Sequence, residues 1–157
     1  MTTQPDTGDA MPDIALTMPD GGSVKPSDFA GRKLVLFFYP KDDTPGCTTE
    51  NKDFSALQAE FDAAGVALLG VSKDPPAKHA KFTAKYDLTA PLASDAVNDG
   101  LADVLGIWLE KSMYGRSYMG MERTTYLVDA EGRIARVWRK VKVKDHAAEV
   151  LAAAKAL

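Results

Sequence analysis

Residues Leu34–Glu50 have the sequence LVLFFYPKDDTPGCTTE. The first six of these residues are apolar at every position, which is typical of a central strand that is buried on both faces of an α/β sheet. The strand closes at Pro40, and Thr44 followed by Pro45 is a common signal for the start of a helix. Cys47 is therefore predicted to lie in the first turn of a helix, directly after a buried strand.

The segments on either side extend this strand into a βαβ unit. The spacing of Phe54, Leu57 and Phe61 predicts that the helix runs from about residue 45 to residue 63. The apolar run Gly65–Val71 then predicts a second buried strand, parallel to the first. These predictions make the central part of the chain an α/β structure.

The rest of the chain completes the predicted architecture. The predicted elements are a small N-terminal hairpin with a glycine turn over 14–24, a helix opened by Pro75 and Pro76, a stretch at 91–95 leading to a short helix near 101–105, a hairpin of strands 124–129 and 133–138, and a C-terminal helix capped by Asp145. A parallel pair followed by an antiparallel hairpin and a helix is the order of a thioredoxin-like fold. We therefore expect an α/β thioredoxin-like fold with a central mixed sheet flanked by helices and an N-terminal β-hairpin.

The size and composition of the chain indicate one domain. It has 157 residues, 45% of them hydrophobic and 26% charged, values close to those of ordinary globular proteins. The first thirteen residues are polar and contain proline, so we expect residues 1–13 to form a flexible arm and residues 14–157 to form a single domain.

Charge and hydropathy exclude several classes of function. The formal net charge of −3 is unlike the basic footprint of most nucleic-acid-binding proteins. The longest apolar runs are far shorter than the roughly 20 residues that span a bilayer, and the N-terminus lacks the basic start and apolar stretch of a secretory signal. We therefore expect a cytoplasmic protein with neither a membrane nor a nucleic acid as its partner.

The single cysteine limits the available redox chemistry. Cys47 can form no intrachain disulfide and no multi-cysteine zinc site. A helix start favours the thiolate over the thiol because unpaired backbone N–H groups and a partial positive charge lie there. A buried structural role is the alternative for a lone cysteine, but no large apolar residue lies between Tyr39 and Phe54 to pack against it. Cys47 is therefore the candidate nucleophile.

The sequence around Cys47 resembles that of the peroxiredoxins. Their pattern Pro-x-x-x-Thr-x-x-Cys is present as Pro40, Thr44 and Cys47, and the string FYPKDDTPGCTTE is similar to that of the Q-type or bacterioferritin comigratory protein group. The resemblance extends along nearly the whole chain, including the stretch YGRSYMGMERTTYLVDAEGRI from Tyr114 to Ile134. It implies a thiol-dependent peroxidase that reduces hydrogen peroxide and organic hydroperoxides through a cysteine sulfenic acid, with no metal, haem or flavin.

The resemblance also assigns roles to residues outside the helix start. A distant arginine completes the site in this family, and the matching position here is Arg123. Attack of a thiolate on the O–O bond places charge on both oxygens, so the Thr44 hydroxyl and the Arg123 guanidinium are expected to donate to them. Pro40 is expected to shield the sulfur from water. The predicted catalytic residues are therefore Cys47, Thr44, Arg123 and Pro40.

The chain departs from many Q-type members at the resolving cysteine. Lys52 stands five residues after Cys47, and Thr83 stands in the second helix, at the two places where relatives carry a second cysteine. The chain thus resembles a one-cysteine member, whose sulfenic acid must be reduced by an external thiol such as thioredoxin or glutaredoxin with glutathione. A monomer or a weak dimer is expected.

Other polar and aromatic features are expected to be structural. His79 and His146 are predicted to be solvated helix residues rather than partners of Cys47. The run 139–144 alternates basic residues with valine, which predicts a strand with a charged outer face or, less favourably, a docking patch for an acidic partner. The Tyr and Met residues of 113–121 are expected to pack inside the domain or to form a hydrophobic rim of the active site.

Two other functions are alternatives to peroxide turnover for a protein with a single reactive cysteine. A redox-sensing or binding module would use oxidation of Cys47 to alter a contact with a partner instead of clearing peroxide. A thiol–disulfide oxidoreductase would need a C-x-x-C motif, whereas Cys47 is followed by Thr48, Thr49 and Glu50. The complete set of Pro, Thr, Cys and Arg favours peroxide turnover.

Overall fold

The computed structural model describes residues 4–97 and 99–157. Over these residues, the strands are β1 Leu16–Thr17, β2 Ser23–Val24, β3 Lys33–Phe38, β4 Val66–Ser72, β5 Leu92–Ser94, β6 Trp108–Met113, β7 Arg116–Met121, β8 Thr124–Val128 and β9 Ile134–Trp138. The main sheet has seven of these strands in the order β2-β1-β5-β4-β3-β8-β9, and β6 and β7 form a separate two-stranded sheet. The helices are α1 Pro45–Ala56, α2 Gln58–Ala63, α3 Pro76–Tyr86, α4 Leu101–Val104 and α5 His146–Ala156, with a short 3-10 helix at Pro26–Phe29.

Strand β3 is an interior strand of the main sheet. It pairs in parallel with β4 and antiparallel with β8, so the sheet is mixed, as expected. Its side chains are buried on both faces: Phe37 packs in the core cluster that contains residues of α1, α2, α3 and α5, whereas Phe38 packs in the cluster that contains α4. The continuous apolar run is explained by this two-sided burial, because each alternate side chain enters a different core.

The predicted hairpins and the parallel pair are confirmed. Strands β1 and β2 are antiparallel, with Leu16 opposite Val24, and β8 pairs antiparallel with β9. The predicted cap residue of α5, Asp145, does occupy the position before the helix, but it has a left-handed backbone and its side chain makes no capping hydrogen bond. The sequence pattern therefore located the start of this helix correctly but not the way in which it is capped.

The predicted helix over 45–63 is interrupted, which corrects that prediction. Leu57 leaves the helical conformation and separates α1 from α2. Beside the break, the Ser55 carbonyl accepts a hydrogen bond from Thr89 Oγ1 at 3.2 Å, and the Ser55 hydroxyl accepts from the backbone N–H groups of Thr89 and Ala90. The loop after α3 thus forms hydrogen bonds with polar groups of α1 close to the point where α1 ends.

The predicted strand over 139–144 is also wrong. This segment has no regular structure and connects β9 to α5. Lys140 has a left-handed backbone, and the Val141 N–H donates to the Arg123 carbonyl at 3.0 Å. The alternation of valine and basic residues reflects half-buried and exposed side chains along a loop. The segment is not a strand, because no neighbouring strand pairs with it through a ladder of hydrogen bonds among the described residues.

Strands β6 and β7 project as a hairpin that the sequence pattern did not reveal. Tyr114 and Gly115 form its turn with positive φ values of 51° and 75°, as a two-residue hairpin turn requires. Tyr114 is 97% exposed, and Met113, Tyr118 and Met119 are also exposed. The expectation that these side chains pack inside the domain is therefore wrong, although Met121 at the base of the hairpin is buried.

The N-terminal arm is hydrogen-bonded to the domain over the part that the structure describes. Ala10 forms a bridge with Arg133, and the backbone N–H of Gly8 donates to the Ile134 carbonyl at 2.8 Å. Met11 is buried in the core. The arm is thus attached at several points, and its flexibility in solution stays a prediction. Within the described residues, no helix has both the length and the apolar character needed to cross a bilayer.

Candidate active site

Cys47 lies in the first turn of α1, as the sequence predicts. Its side chain is only 1% exposed and belongs to the core cluster that contains Phe54, which corrects the expectation that nothing packs against it. Thr44 occupies the N-cap position, but its hydroxyl donates to the Lys41 carbonyl at 2.8 Å and makes no capping bond. The turn of backbone before Cys47 is therefore held by a local bond within the loop.

Arg123 directly precedes β8 and reaches the sulfur from this neighbouring strand. Its Nη2 donates to Cys47 Sγ at a distance of 3.4 Å. The antiparallel pairing of β3 with β8 places Phe38 opposite Thr124, so the residue before Thr124 lies beside the end of β3 where the cysteine loop begins. Gly46 leaves room for this approach, because a Cβ at that position would lie 3.3 Å from Nη2 and the guanidinium would have to shift slightly.

Glu50 completes the cluster, and the sequence analysis did not identify it as a functional residue. Its Oε1 accepts a hydrogen bond from Arg123 Nη1 at 2.6 Å, while its Oε2 has no hydrogen-bond partner in the part of the chain that the structure describes. The carboxyl group is 1% exposed. Glu50 stands three residues after Cys47, a spacing that places both side chains on one face of a helix, and this spacing is the signal that could have revealed it.

Burial and charge shape the electrostatics of the cluster. Burial raises the pKa of Glu50 from 4.5 to about 7 despite the opposing Arg123 charge, and Asp53 contributes a small further increase. Burial of the Arg123 guanidinium opposes its charge, yet the negative charges of Glu50 and Cys47 raise the pKa of Arg123 overall. Arg123 is therefore a permanent cation between two acidic groups.

Pro40 lies on an exposed surface near this cluster. It lines an open cavity of about 590 Å³ together with Lys73, Trp108, Tyr118 and Met119. The exposed hairpin β6–β7 thus lines the same cavity as Pro40, and its role as a hydrophobic rim of the active site stays a prediction. Shielding of the sulfur by Pro40 stays a prediction.

A second buried polar cluster lies on the other side of the cysteine loop. Tyr39 Oη donates to Asp42 Oδ1 at 2.6 Å, and Asp42 Oδ2 lies 2.7 Å from His79 Nδ1. His79 Nε2 lies 3.0 Å from the Ala93 carbonyl, which can only accept, so Nε2 carries a hydrogen. Burial, and then the charge of Asp42, raise the pKa of Tyr39 well above its ordinary value, so Tyr39 remains a donor.

Both histidines are buried, which corrects the prediction of solvated helix residues. His79 is fully inaccessible in the cluster just described, and His146 is 4% exposed with its Nε2 2.8 Å from Thr125 Oγ1. Burial lowers the pKa of His146 to about 4, with Arg123 contributing in the same direction and Glu149 opposing it. Within residues 4–97 and 99–157, neither histidine forms a hydrogen bond with Cys47, and no group of three or more His, Cys, Asp or Glu side chains is arranged to hold a metal ion.

The two positions that carry a second cysteine in relatives have other roles here. Lys52 is exposed, and its Nζ lies 4.9 Å from the centre of the Tyr86 ring, in a cation–π contact between α1 and α3. Thr83 is half-buried in α3, and its carbonyl accepts the N–H of Leu88 at the end of that helix. The residues at both positions support helix packing.

Comparison with known proteins places this site in a family. The AhpC/TSA family model matches residues 7–137. Peroxiredoxin Bcp of Bacillus subtilis is 46% identical over 144 residues, which cover 92% of this chain and 91% of the relative. Peroxiredoxin Bcp of Xanthomonas campestris is 47% identical over 144 residues, covering 92% of this chain and 89% of the relative.

Solved structures of related proteins are also similar to this chain. The chain superimposes on Xylella fastidiosa PrxQ with a TM-score of 0.91 at 37% identity, over 98% of both chains. It superimposes on the bacterioferritin comigratory protein of Xanthomonas campestris, a structure that concerns alkyl peroxide reduction, with a TM-score of 0.88 at 44% identity, over 96% of this chain and 98% of that chain. These similarities confirm the expected thioredoxin-like α/β fold. The chain therefore belongs to the AhpC/TSA family, and within it to the peroxiredoxins of the bacterioferritin comigratory protein group, which are thiol-dependent peroxidases.

Proposed function

We propose that Cys47 is the residue that attacks the peroxide and that hydrogen peroxide and small organic hydroperoxides are its substrates. The thiolate takes the terminal oxygen of the peroxide, the O–O bond breaks, and the products are a sulfenic acid on Cys47 and an alkoxide or hydroxide that takes up a proton. The observation that carries this proposal is the 3.4 Å contact between Arg123 Nη2 and Cys47 Sγ at the start of a helix. A thiolate there has a cation and helix N–H groups as partners.

Arg123 and Thr44 stabilise the charge that develops on the peroxide oxygens. Arg123 is held by Glu50, so its guanidinium has a defined direction before substrate binds. The Thr44 hydroxyl donates to the Lys41 carbonyl, which leaves its lone pairs to accept the peroxide O–H. Rotation of the hydroxyl hydrogen about the Cβ–Oγ1 bond turns the same group into a donor to the leaving oxygen. Such preorganised donors are the main source of rate enhancement in reactions of this kind.

An alkyl chain can be accommodated beside the loop. The cavity of about 590 Å³ next to Pro40 has Trp108, Tyr118 and Met119 in its wall. Apolar and aromatic side chains of this kind suit the hydrocarbon part of an organic hydroperoxide. A related Xanthomonas campestris protein with alkyl peroxide reduction activity supports the same substrate class.

The reductant is an external thiol. The chain has one cysteine, so the sulfenic acid can only be resolved by a sulfur from another molecule, and thioredoxin or glutaredoxin with glutathione are the candidates. The products expected after oxidation are a mixed disulfide with an added small thiol or a disulfide dimer through Cys47. Cytoplasmic localisation and a monomeric or weakly dimeric state stay predictions.

Intact-mass spectrometry combined with a peroxide-consumption assay tests the proposal. One equivalent of peroxide is expected to add one oxygen to the protein, and a following addition of thiol is expected to give an adduct that reductant removes. Continuous peroxide consumption is expected only while external thiol is present. Oxidation without turnover at any thiol concentration would favour the redox-sensing alternative, and turnover without any thiol would contradict a single-sulfur cycle.

A further inference from the structure

Glu50 is a buried acid, and in the reaction described above its only role is to hold Arg123. One of its oxygens accepts from Arg123 Nη1 at 2.6 Å. The other oxygen is buried without a hydrogen-bond partner among the described residues. A buried carboxylate normally has all its oxygens satisfied, so this arrangement suits a carboxyl group that holds a proton during part of the cycle.

The charges around Glu50 indicate when that proton is present. Among the described residues, Arg123 is the single cation in contact with both Cys47 and Glu50. From α1, Asp53 adds negative charge to the surroundings of Glu50, and from α5, His146 lies close to Arg123 but is buried and carries no charge at neutral pH. One cation cannot compensate two buried anions in a region of low dielectric constant.

We propose that Cys47 and Glu50 share one negative charge across Arg123, so that Glu50 is protonated when Cys47 is a thiolate and ionises when Cys47 becomes a sulfenic acid. The proposal rests on the function proposed above and adds the proton balance to it. In the resting enzyme, Cys47 is a thiolate and Glu50 holds the one proton that the pair retains. After attack, the leaving alkoxide takes up one proton and Glu50 releases one, so Cys47–S⁻, Glu50–COOH and ROOH give Cys47–SOH, Glu50–COO⁻ and ROH with no net change in protons.

Arg123 keeps one anionic partner throughout this cycle. Before the reaction, that partner is the thiolate at 3.4 Å from Nη2, and afterwards it is the Glu50 carboxylate at 2.6 Å from Nη1. The raised pKa of Glu50, about 7, is consistent with a group whose protonation changes near neutral pH. Glu50 is thus a positioning residue that acts through Arg123.

A thiolate titration of the Glu50→Gln variant tests the shared charge. The amide keeps an oxygen that can accept from Arg123 but has no negative charge, so the midpoint of the Cys47 thiolate absorbance is expected to move to lower pH by about one unit, a tenfold larger thiolate-to-thiol ratio below the midpoint. Asp53→Asn is the matched control, since it removes a neighbouring acid that does not touch Arg123, and a much smaller shift is expected. An unchanged midpoint, or one that moves to higher pH because Arg123 has lost its support, would overturn the proposal.

Infrared difference spectroscopy of the unaltered protein gives a second readout that needs no variant. The band of a protonated carboxyl group is expected in the reduced protein and is expected to disappear when one equivalent of peroxide is added. If mass spectrometry shows the added oxygen while the carboxyl band does not change, the shared charge is wrong and the peroxidase function stands. If no oxygen is added to Cys47, the proposed nucleophile is wrong, and the proposal about Glu50 is overturned with it.

Discussion

Two buried polar clusters flank the same short segment of chain, and they differ in how completely their hydrogen bonds are made. In the cluster of Tyr39, Asp42 and His79, every polar side-chain atom has a partner. In the cluster of Cys47, Glu50 and Arg123, one carboxylate oxygen has no partner over residues 4–97 and 99–157, and in the same part of the chain the sulfur has a single long hydrogen-bond contact at 3.4 Å.

The difference separates a structural role from a chemical one. A fully satisfied buried network specifies one geometry, since any other arrangement leaves a polar group unpaired in the core. A cluster with an unpaired oxygen and a cation near a sulfur retains capacity to accept protons and charge during a reaction. We therefore infer that the first cluster holds the cysteine loop in place and that the second, on the function proposed above, performs the chemistry.

The largest effect on peroxidase activity is expected when the reactive sulfur of Cys47 is replaced and the fold is kept. Cys47→Ser replaces the sulfur by a hydroxyl that is not nucleophilic at neutral pH, so peroxide consumption with external thiol is expected to vanish. The measurement is stopped-flow consumption of hydrogen peroxide, with Thr49→Ser, an exposed position on α1, as the control that keeps activity. Peroxidase activity in the Cys47→Ser variant would remove Cys47 from the mechanism.

The satisfied cluster is expected to respond mainly in stability. Asp42→Ala removes the carboxylate that bonds to both the His79 ring nitrogen and the Tyr39 hydroxyl and leaves these two groups only their 3.5 Å contact with each other, which is expected to lower the free energy of unfolding by about 3–5 kcal/mol. Urea denaturation measures this change. Asp43→Asn, which removes the charge of the neighbouring exposed acid bonded to Lys85 and keeps a side chain that tolerates the left-handed backbone of this position, is the control and is expected to have a much smaller effect. Equal losses in the two variants would show that the buried cluster does not hold the loop.

The unsatisfied cluster is expected to respond mainly in rate. Arg123→Met and Thr44→Val each remove a polar partner of the peroxide, so each is expected to slow oxidation of Cys47 by about 10- to 1000-fold. Stopped-flow measurement of the oxidation step, separate from reduction by thiol, detects the loss. Arg136→Met removes an exposed pair with Glu149 and is expected to keep the rate. A rate unchanged in either site variant would make that residue's assignment wrong.

The smallest expected effect is a pH dependence of stability that two buried groups produce in opposite directions. The pKa of Glu50 is raised from 4.5 to about 7, so the folded protein binds the extra proton in this window and stability falls as pH rises through it. The pKa of His146 is lowered from 6.5 to about 4, so stability falls as pH decreases through that window. Each contributes about 3 kcal/mol across its whole window, and the two nearly cancel between pH 4.5 and 6.5.

Single variants separate these two contributions. In Glu50→Gln, stability is expected to rise with pH up to about 6.5 and then stay level, because only the His146 dependence remains. In His146→Asn, stability is expected to fall as pH increases toward 7. Denaturant melts at several pH values measure both slopes. Parallel curves for the unaltered protein and both variants would show that neither group titrates as its burial implies.

Much of the fold could be predicted because its signals are local. The run Leu34–Tyr39 has too many apolar side chains for a strand with a solvent face, so it had to lie inside a sheet. The Thr-Pro pair before Cys47 is a common helix-start signal that depends only on residues next to it in the sequence. The hairpin β6–β7 was missed because its apolar side chains are exposed, and periodicity alone cannot distinguish an exposed aromatic residue from a buried one.

By itself, the amino-acid sequence determined that Cys47 stands at a helix start after a buried strand, since backbone propensities and apolar spacing act over a few residues. Only the tertiary structure decided the partners of that cysteine. The register of β3 with β8 brings Arg123 to the sulfur across 76 positions of sequence, and burial by distant elements converts Glu50 and His146 from ordinary helix residues into groups with shifted pKa values. Charge states depend on the dielectric surroundings of the folded molecule, and those surroundings exist only after segments far apart in the chain have packed together.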